Sequence, residues 1–369
     1  MGKKDAFLLR ERLPLLLEVV QAEGYECIGP QWQNDAIVYE LLSHVDQLPR
    51  GLQVNQYPGE YCGEVQDNNV RYFAWANGPQ ALKPFLFVPR ETLWRVDRNN
   101  DGRLQFESAT PAVPKRAIFG VRACDLAALA LQDHHFLDGE FRDPAYAARR
   151  KNLLLIAVNC SHPASTCFCA STGDGPVAQT GYDLALDELD DGFRVQAGSE
   201  AGEAVMARLN LIPLTDGHCE AIEIQQEKAH EQLRKVPGKQ LRDALFANLD
   251  HERWDEVAAR CLSCGNCTSV CPTCFCHSEE ELAPLDGRSS EHVRQWDSCF
   301  TAGHSYIHGK TLRQQTRERY RQWLTHKFGS WHDQYGRSGC VGCGRCIAWC
   351  PVGIDVTEEL QAICGSDSA

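Results

Sequence analysis

Eight cysteines near the C-terminus fall into two copies of one phrase: Cys261, Cys264, Cys267 and Cys271 before Pro272, then Cys340, Cys343, Cys346 and Cys350 before Pro351. Each copy reads C-x2-C-x2-C-x3-C-P, the spacing by which bacterial ferredoxins ligate [4Fe-4S] clusters. In that arrangement three thiolates of a run hold one cluster and the fourth reaches across to the other. The expected ligand sets are therefore Cys261, Cys264, Cys267 and Cys350 for one cluster, and Cys340, Cys343, Cys346 and Cys271 for its neighbour. Zinc knuckles also use C-x2-C pairs, but a four-thiolate zinc site needs two spaced pairs. Here three close thiols recur with a fourth before proline, twice and in matching order, which is the pattern of an electron carrier.

Four more cysteines, Cys124, Cys160, Cys167 and Cys169, lie close together upstream. Cys124 follows the apolar run Ala117 to Val121 and precedes a helix expected to be capped by Asp125. Cys160 ends a second apolar run, Leu153 to Asn159. Both cysteines are thus expected at the carboxyl ends of strands, the edge where open α/β sheets bind ligands. A helix N-terminus also favours the thiolate that a metal requires. With Cys167 and Cys169 on the following loop, these residues are expected to hold a third iron-sulfur cluster; the alternative is four ordinary buried thiols. Thr273 to Cys276 repeats the Thr166 to Cys169 sequence Thr-Cys-Phe-Cys. Cys274 and Cys276 have no evident further ligands unless they join a site built with Cys299. Cys27, Cys62, Cys219 and Cys364 stand alone and read as structural or incidental.

The elements that must position these thiols follow from hydrophobic spacing. Leu8, Leu9, Leu13, Leu16, Leu17 and Val20 predict a helix over Phe7 to Glu23. Strand-like runs are expected at Val70 to Ala74 and Pro84 to Val88, separated by Asn77-Gly78-Pro79. From Pro114 onward strand and helix alternate: Ala117 to Val121, then Asp125 to Phe136, then Leu153 to Asn159, which is the language of α/β folds. A helix is expected at Glu200 to Leu209, and a charged, mostly helical run from Cys219 to Ala259. The long stretch between the two cysteine phrases is an insertion relative to a minimal ferredoxin. Its segment His304 to Phe328 reads as helical, with its lysines and arginines on a solvated face. The expectation is an α/β (or α+β) domain over residues 1–245 and an α-helical ferredoxin-like domain with two clusters over 246–369.

The chain has 369 residues, 43% hydrophobic and 24% charged, with a formal net charge of −13. That composition suits two globular domains. The acidic balance argues against nucleic acid as a partner, and no apolar stretch is long enough to span a bilayer. The 19 cysteines occur without an evident signal peptide, so cytoplasmic thiol chemistry is expected instead of a disulfide framework. Neither G-x-G-x-x-G after a strand nor a G-x-x-x-x-G-K-[ST] loop occurs, so neither dinucleotide nor NTP binding is signalled.

A family pattern is carried by Gly120-Val121-Arg122-Ala123-Cys124-Asp125, Val158-Asn159-Cys160, Thr166-Cys167-Phe168-Cys169, Gly181-Tyr182-Asp183-Leu184, Trp296-Asp297-Ser298-Cys299 and Gly339-Cys340-Val341-Gly342-Cys343-Gly344-Arg345-Cys346. From about Ala117 to the C-terminus the sequence resembles the sulfhydrogenase β-subunit family. That family includes the iron-sulfur β subunits of soluble, NAD(P)-linked [NiFe] hydrogenases and the related A subunit of anaerobic sulfite reductase. The resemblance implies a non-catalytic electron-transfer subunit in a cytoplasmic oxidoreductase complex. One partner would bind flavin and NAD(P)H; the other would be catalytic, with nickel and iron in a hydrogenase or sirohaem in a sulfite reductase. It also matches Cys124, Cys160, Cys167 and Cys169 to the family's first-domain cysteines, and it favours the hydrogenase setting. Two other classes remain: an enzyme whose α/β domain uses Cys124, His134 or His135 on its own substrate, and a redox sensor whose clusters regulate binding.

Overall fold

The computed structural model describes residues 5–80, 82–109, 111–237 and 240–365. Its strands begin with β1 (Ala6–Leu9), β2 (Glu26–Gln33), β3 (Ala36–Leu41), β4 (Leu52–Tyr57) and β5 (Glu60–Val65). There follow β6 (Arg90–Arg98), β7 (Leu104–Ser108), β8 (Arg116–Val121), β9 (Leu153–Val158), β10 (Leu184–Glu188) and β11 (Gly192–Ala197). The C-terminal part adds β12 (His277–Leu282), β13 (Ser289–Trp296), β14 (Tyr306–Ile307) and β15 (Lys310–Thr311). The fold is mixed α/β.

Seven strands form the main sheet in the order β1-β11-β10-β9-β8-β2-β3. The central β10, β9, β8 and β2 pair in parallel, while β1, β11 and β3 join antiparallel at the sides. A parallel strand covered on both faces must be apolar at nearly every position, and β8 and β9 are. Ala117, Phe119, Leu154, Ile156 and Val158 face one core, against Leu16, Leu17 and Val20 of the helix Leu13–Ala22. Ile118, Val121, Leu155 and Ala157 face the other, against Leu126, Leu129 and Phe136 of the helix Ala123–Leu137. With both strands held in this way, Cys124 and Cys160 follow them at the carboxyl edge of the sheet.

A second sheet, in the order β12-β13-β6-β7, joins two distant parts of the chain. β13 pairs antiparallel with β6, shifting register between His292 and Val293. A buried ionic network clamps this junction. Glu91 receives Arg294 at 2.5 Å and Arg149 at 2.6 Å, and Arg294 also reaches Asp143 at 2.6 Å. Beyond residue 245 the core is aromatic and aliphatic: Trp254, Val257, Tyr320, Trp323, Leu324, Phe328, Ile347 and Leu360 pack together with several ferredoxin-phrase cysteines at their edge.

Five local expectations differ from the structure. Phe7 to Leu9 are not helical: they pair antiparallel with β11, with Phe7 and Leu8 fully buried, and the helix starts at Leu13 with Pro14 in its first turn, where proline costs no hydrogen bond. Val70 to Ala74 form no strand, because side chains satisfy their backbone. Glu188 accepts Tyr72 N and Phe73 N, each at 2.7 Å, and Arg122 donates to Phe73 O at 2.8 Å. Pro84 lies in a helical turn, Lys83–Leu86. Asp125 does not cap its helix, which already begins at Ala123 and places this carboxylate in the first turn. In the insertion, α-helix begins only at Thr316; Tyr306 to Thr311 make the small β14-β15 ribbon.

Candidate iron-sulfur centres

The two cysteine runs fold alike. The helix Arg253–Arg260 delivers Cys261, and Ser263 and Gly265 take positive φ values of 52° and 78° before the helical turn Asn266–Ser269. In the second run Gly342 and Gly344 take 63° and 71° before the turn Arg345–Ala348. Positive φ at these alternate positions curls the backbone so that the flanking thiols converge. Ser263 N donates to Cys261 Sγ at 3.4 Å, and Gly342 N donates to Cys340 Sγ at the same 3.4 Å. Amide donors of this kind stabilise charge on sulfur and tune a bound cluster.

Cys350 joins Cys261, Cys264 and Cys267 around a narrow space also lined by Cys346, Tyr320, Trp323 and Phe300. Cys271 joins Cys340, Cys343 and Cys346 around an adjacent space lined by Phe168, Trp323 and Lys327. Each run therefore lends its fourth cysteine to the other's cavity. Tyr320 Oη and Trp323 Nε1 are buried without a hydrogen-bond partner among the described residues, so donors are available to an acceptor held in these spaces. Among the described residues no group of three or more His, Cys, Asp or Glu side chains is arranged to hold a single metal ion. The all-thiolate donor set and the spacing of the thiols fit an inorganic cube better than one ion.

Burial raises most of these thiols: Cys340 is pushed up to about 12, and Cys267 is also raised, chiefly by desolvation and then by Cys261 and Cys350. A metal reverses that balance by binding the thiolate and releasing the proton. Cys271 is different. The Cys274 thiol beside it, then Lys327 and Thr273, hold it well below the usual thiol range. Lys327 Nζ lies 3.4 Å from Cys271 Sγ and 2.8 Å from Thr273 Oγ1, with the residue only 5% exposed. This lysine is not on a solvated helix face, as its charged surroundings in the sequence had implied.

At the sheet edge, Cys124, Cys160, Cys167 and Cys169 form a further group. Cys169 is raised to about 12, mainly by burial and then by the nearby Cys160. Burial likewise raises Cys167, with Cys169 and Cys160 next, and Cys124, with Asp125, Cys343 and Cys169 next. Asn77 Nδ2 donates to Cys124 Sγ and Gln232 Nε2 to Cys169 Sγ, each at 3.4 Å, while the nearby Arg122 guanidinium offsets part of the upward push of burial on Cys160.

This group abuts the second run directly. Phe168 N donates to Gly342 O at 2.8 Å. Arg345 pairs with Asp125, the residue after Cys124, at 2.7 and 3.1 Å, and both side chains are buried. The Arg345 guanidinium also donates to Gly78 O and Gln80 O, each at 3.0 Å, so it ties the second run to the loop beside Asn77 as well. A Cβ at Gly342 would lie 2.5 Å from Cys169 N, and one at Gly344 would lie 2.5 Å from Thr166 O. Only glycine permits so close an approach of backbone to backbone.

Comparison with known proteins places iron-sulfur domains in this part of the chain. A family described as a 4Fe-4S dicluster domain matches residues 260–354, and a second family of the same description matches 216–275. Sulfhydrogenase 2 subunit beta of Pyrococcus furiosus is 30% identical over 337 residues, covering 87% of this chain and 97% of that protein. The chain belongs to the sulfhydrogenase β-subunit family. No solved structure matches it. As a sulfhydrogenase-type β subunit it is an iron-sulfur, electron-transferring member of its class, and no described helix is long and apolar enough to cross a membrane.

Sequence reasoning missed several residues of this β subunit that surround the thiols. Asn77 and Gln232 lie far from any cysteine phrase and carry no motif. Arg345 sits inside the second phrase, but nothing local distinguishes a buried arginine from an exposed one. Lys83 follows a turn-rich stretch, yet it is buried, with Nζ 2.9 Å from Ser269 O and 4.0 Å from the centre of the Trp296 ring.

Proposed function

We propose that this chain is the electron-transfer subunit of a cytoplasmic, NAD(P)-linked [NiFe] hydrogenase complex, lying between a flavin- and NAD(P)H-binding subunit and a catalytic subunit. In this reading Cys261, Cys264, Cys267 and Cys350 hold one [4Fe-4S] cluster in an α-helical ferredoxin-like region. Cys340, Cys343, Cys346 and Cys271 hold a second, and Cys124, Cys160, Cys167 and Cys169 hold a third in the α/β domain that occupies residues 1–245. Bound clusters supply reversible one-electron storage. The chain's own residues do the rest: aromatic side chains exclude water, amides and Lys327 place positive charge beside sulfur, and Arg345 with Asp125 locks two thiol groups together.

The observation that carries the proposal is the packing of Cys343 with Cys124 and Cys169, which makes three thiol groups contiguous from the sheet edge to the outer surface at Cys264. The hydrogenase setting is favoured over sulfite reduction by the name of the curated relative. Iron and acid-labile sulfide on anaerobically purified protein test it. Cys264→Ser, Cys343→Ser and Cys124→Ser should each lower both by about four per chain. Unchanged iron in Cys124→Ser would confine the centres to the ferredoxin-like region. The isolated subunit should accept electrons from a low-potential donor yet evolve no hydrogen; hydrogen evolution by this chain alone would overturn the assignment.

A further inference from the structure

The hairpin of β12 and β13 brings together three cysteines that the two runs and the sheet-edge group do not use. Cys276 immediately precedes β12, and Cys299 lies just past the end of β13. At the hairpin base His277 pairs with Trp296, and Asp297 N donates to Cys276 O at 3.0 Å. The antiparallel ladder thus forces the two segments into contact. There the Cys276 thiol has Cys299 and His304 as neighbours, and Cys274 has Cys271 and Cys276. All three thiols are partly buried and none is in a disulfide.

Two further features point to a ligand. His304 Nδ1 is 3.3 Å from Asp297 Oδ2, the carboxylate-histidine arrangement that fixes the tautomer of a metal-binding imidazole and leaves Nε2 for the metal. Lys83 and Lys327, each 5% exposed, lie beside Cys274 and Cys271. The hydrogen bonds of Lys83 go to Thr268 O and Ser269 O, and those of Lys327 to Cys271 Sγ, Thr273 Oγ1 and Gly339 O. Buried cations require nearby negative charge, and thiolates gathered on iron provide it. Cys299 also neighbours Cys267 of the first run.

We infer that Cys274, Cys276, Cys299 and His304 form a fourth iron-sulfur site, with three thiolates and one imidazole, beside both ferredoxin-type cavities. This extends the electron-transfer reading above but is tested separately from it. The experiment uses the full-length protein, purified anaerobically, with iron, sulfide and zinc measured per chain and pulsed EPR recorded after reduction. Cys276→Ser should lose about four iron and four sulfide. The unaltered protein should show nitrogen coupling to one reduced cluster, absent from His304→Cys, which keeps its iron because cysteine replaces the imidazole.

Unchanged iron in Cys276→Ser, or loss of zinc with iron retained, would overturn the site. If Cys276→Ser fails to fold, His304→Cys decides: an EPR spectrum identical to that of the unaltered protein would equally overturn it. Loss of iron in Cys276→Ser together with full iron in Cys124→Ser would leave this site standing while removing the one at the sheet edge. The reverse result would do the opposite.

Discussion

The two cysteine runs share a backbone but not surroundings, and three of the six aligned positions at which they differ show why. Where the first run has Leu262, Ser263 and Asn266, the second has Val341, Gly342 and Arg345. Leu262 is 63% exposed and Cys264 lies at the surface, whereas Val341 is 2% exposed and Cys343 is buried. Asn266 donates to Trp349 O on an exposed edge, while Arg345 pairs with Asp125 inside the protein. One run is an outer terminal and the other an internal joint. Ligand spacing sets what a run can hold; the residues between the ligands decide what it can lie against.

Exchanging those residues between the runs should break the joint and spare the terminal. The largest effect is expected from Arg345→Asn, which leaves the Asp125 carboxylate buried and unpaired at a cost of about 3–5 kcal/mol, read as a lower denaturation midpoint under anaerobic conditions. Gly342→Ser follows. Its Cβ would meet Cys169 N and Phe168 C at 2.5 and 2.6 Å, an overpacking cost of about 1–3 kcal/mol added to that of a positive φ, and iron measured per chain should fall with it.

Lys327→Met should act on potential more than on stability. A unit charge roughly 6 Å from a centre, at an effective dielectric near 20, contributes about 3 kcal/mol, so the midpoint potential of the second-run cluster should drop by on the order of 100 mV in an EPR-monitored titration. An unchanged midpoint would mean that Lys327 serves folding alone. The smallest effects belong to the first run. Ser263→Gly relieves a positive φ and should shift stability by less than about 1 kcal/mol, and Asn266→Arg on the exposed edge should leave iron content unchanged.

The chemistry was legible in the sequence because ligand spacing is local. The strands β8 and β9 were legible for a similar reason: a short, continuous apolar run leaves few alternatives. The failures share a cause in distant partners. Phe7 to Leu9 have helical spacing but gain more by pairing with β11, and Val70 to Ala74 look strand-like but find their hydrogen bonds at Glu188 and Arg122. β12 reads His-Ser-Glu-Glu-Glu-Leu, with no apolar alternation to announce a strand, and it exists because β13 lies beside it. Lys327 reads as part of a charged surface because its buried anionic neighbours come from two other segments.

The sheet β12-β13-β6-β7 imposes an order on the making of this protein. β6 and β7 leave the ribosome long before β13, and at synthesis rates of roughly 5–20 residues per second β6 waits on the order of ten seconds or more with one edge unpaired. Such an edge is an aggregation hazard. It closes only when the chain has been extended past Trp296, after the first cysteine run and before the second. A nascent chain therefore completes its sheet before it owns a full set of thiols, and iron delivery in the cell would meet a scaffold already closed at one end.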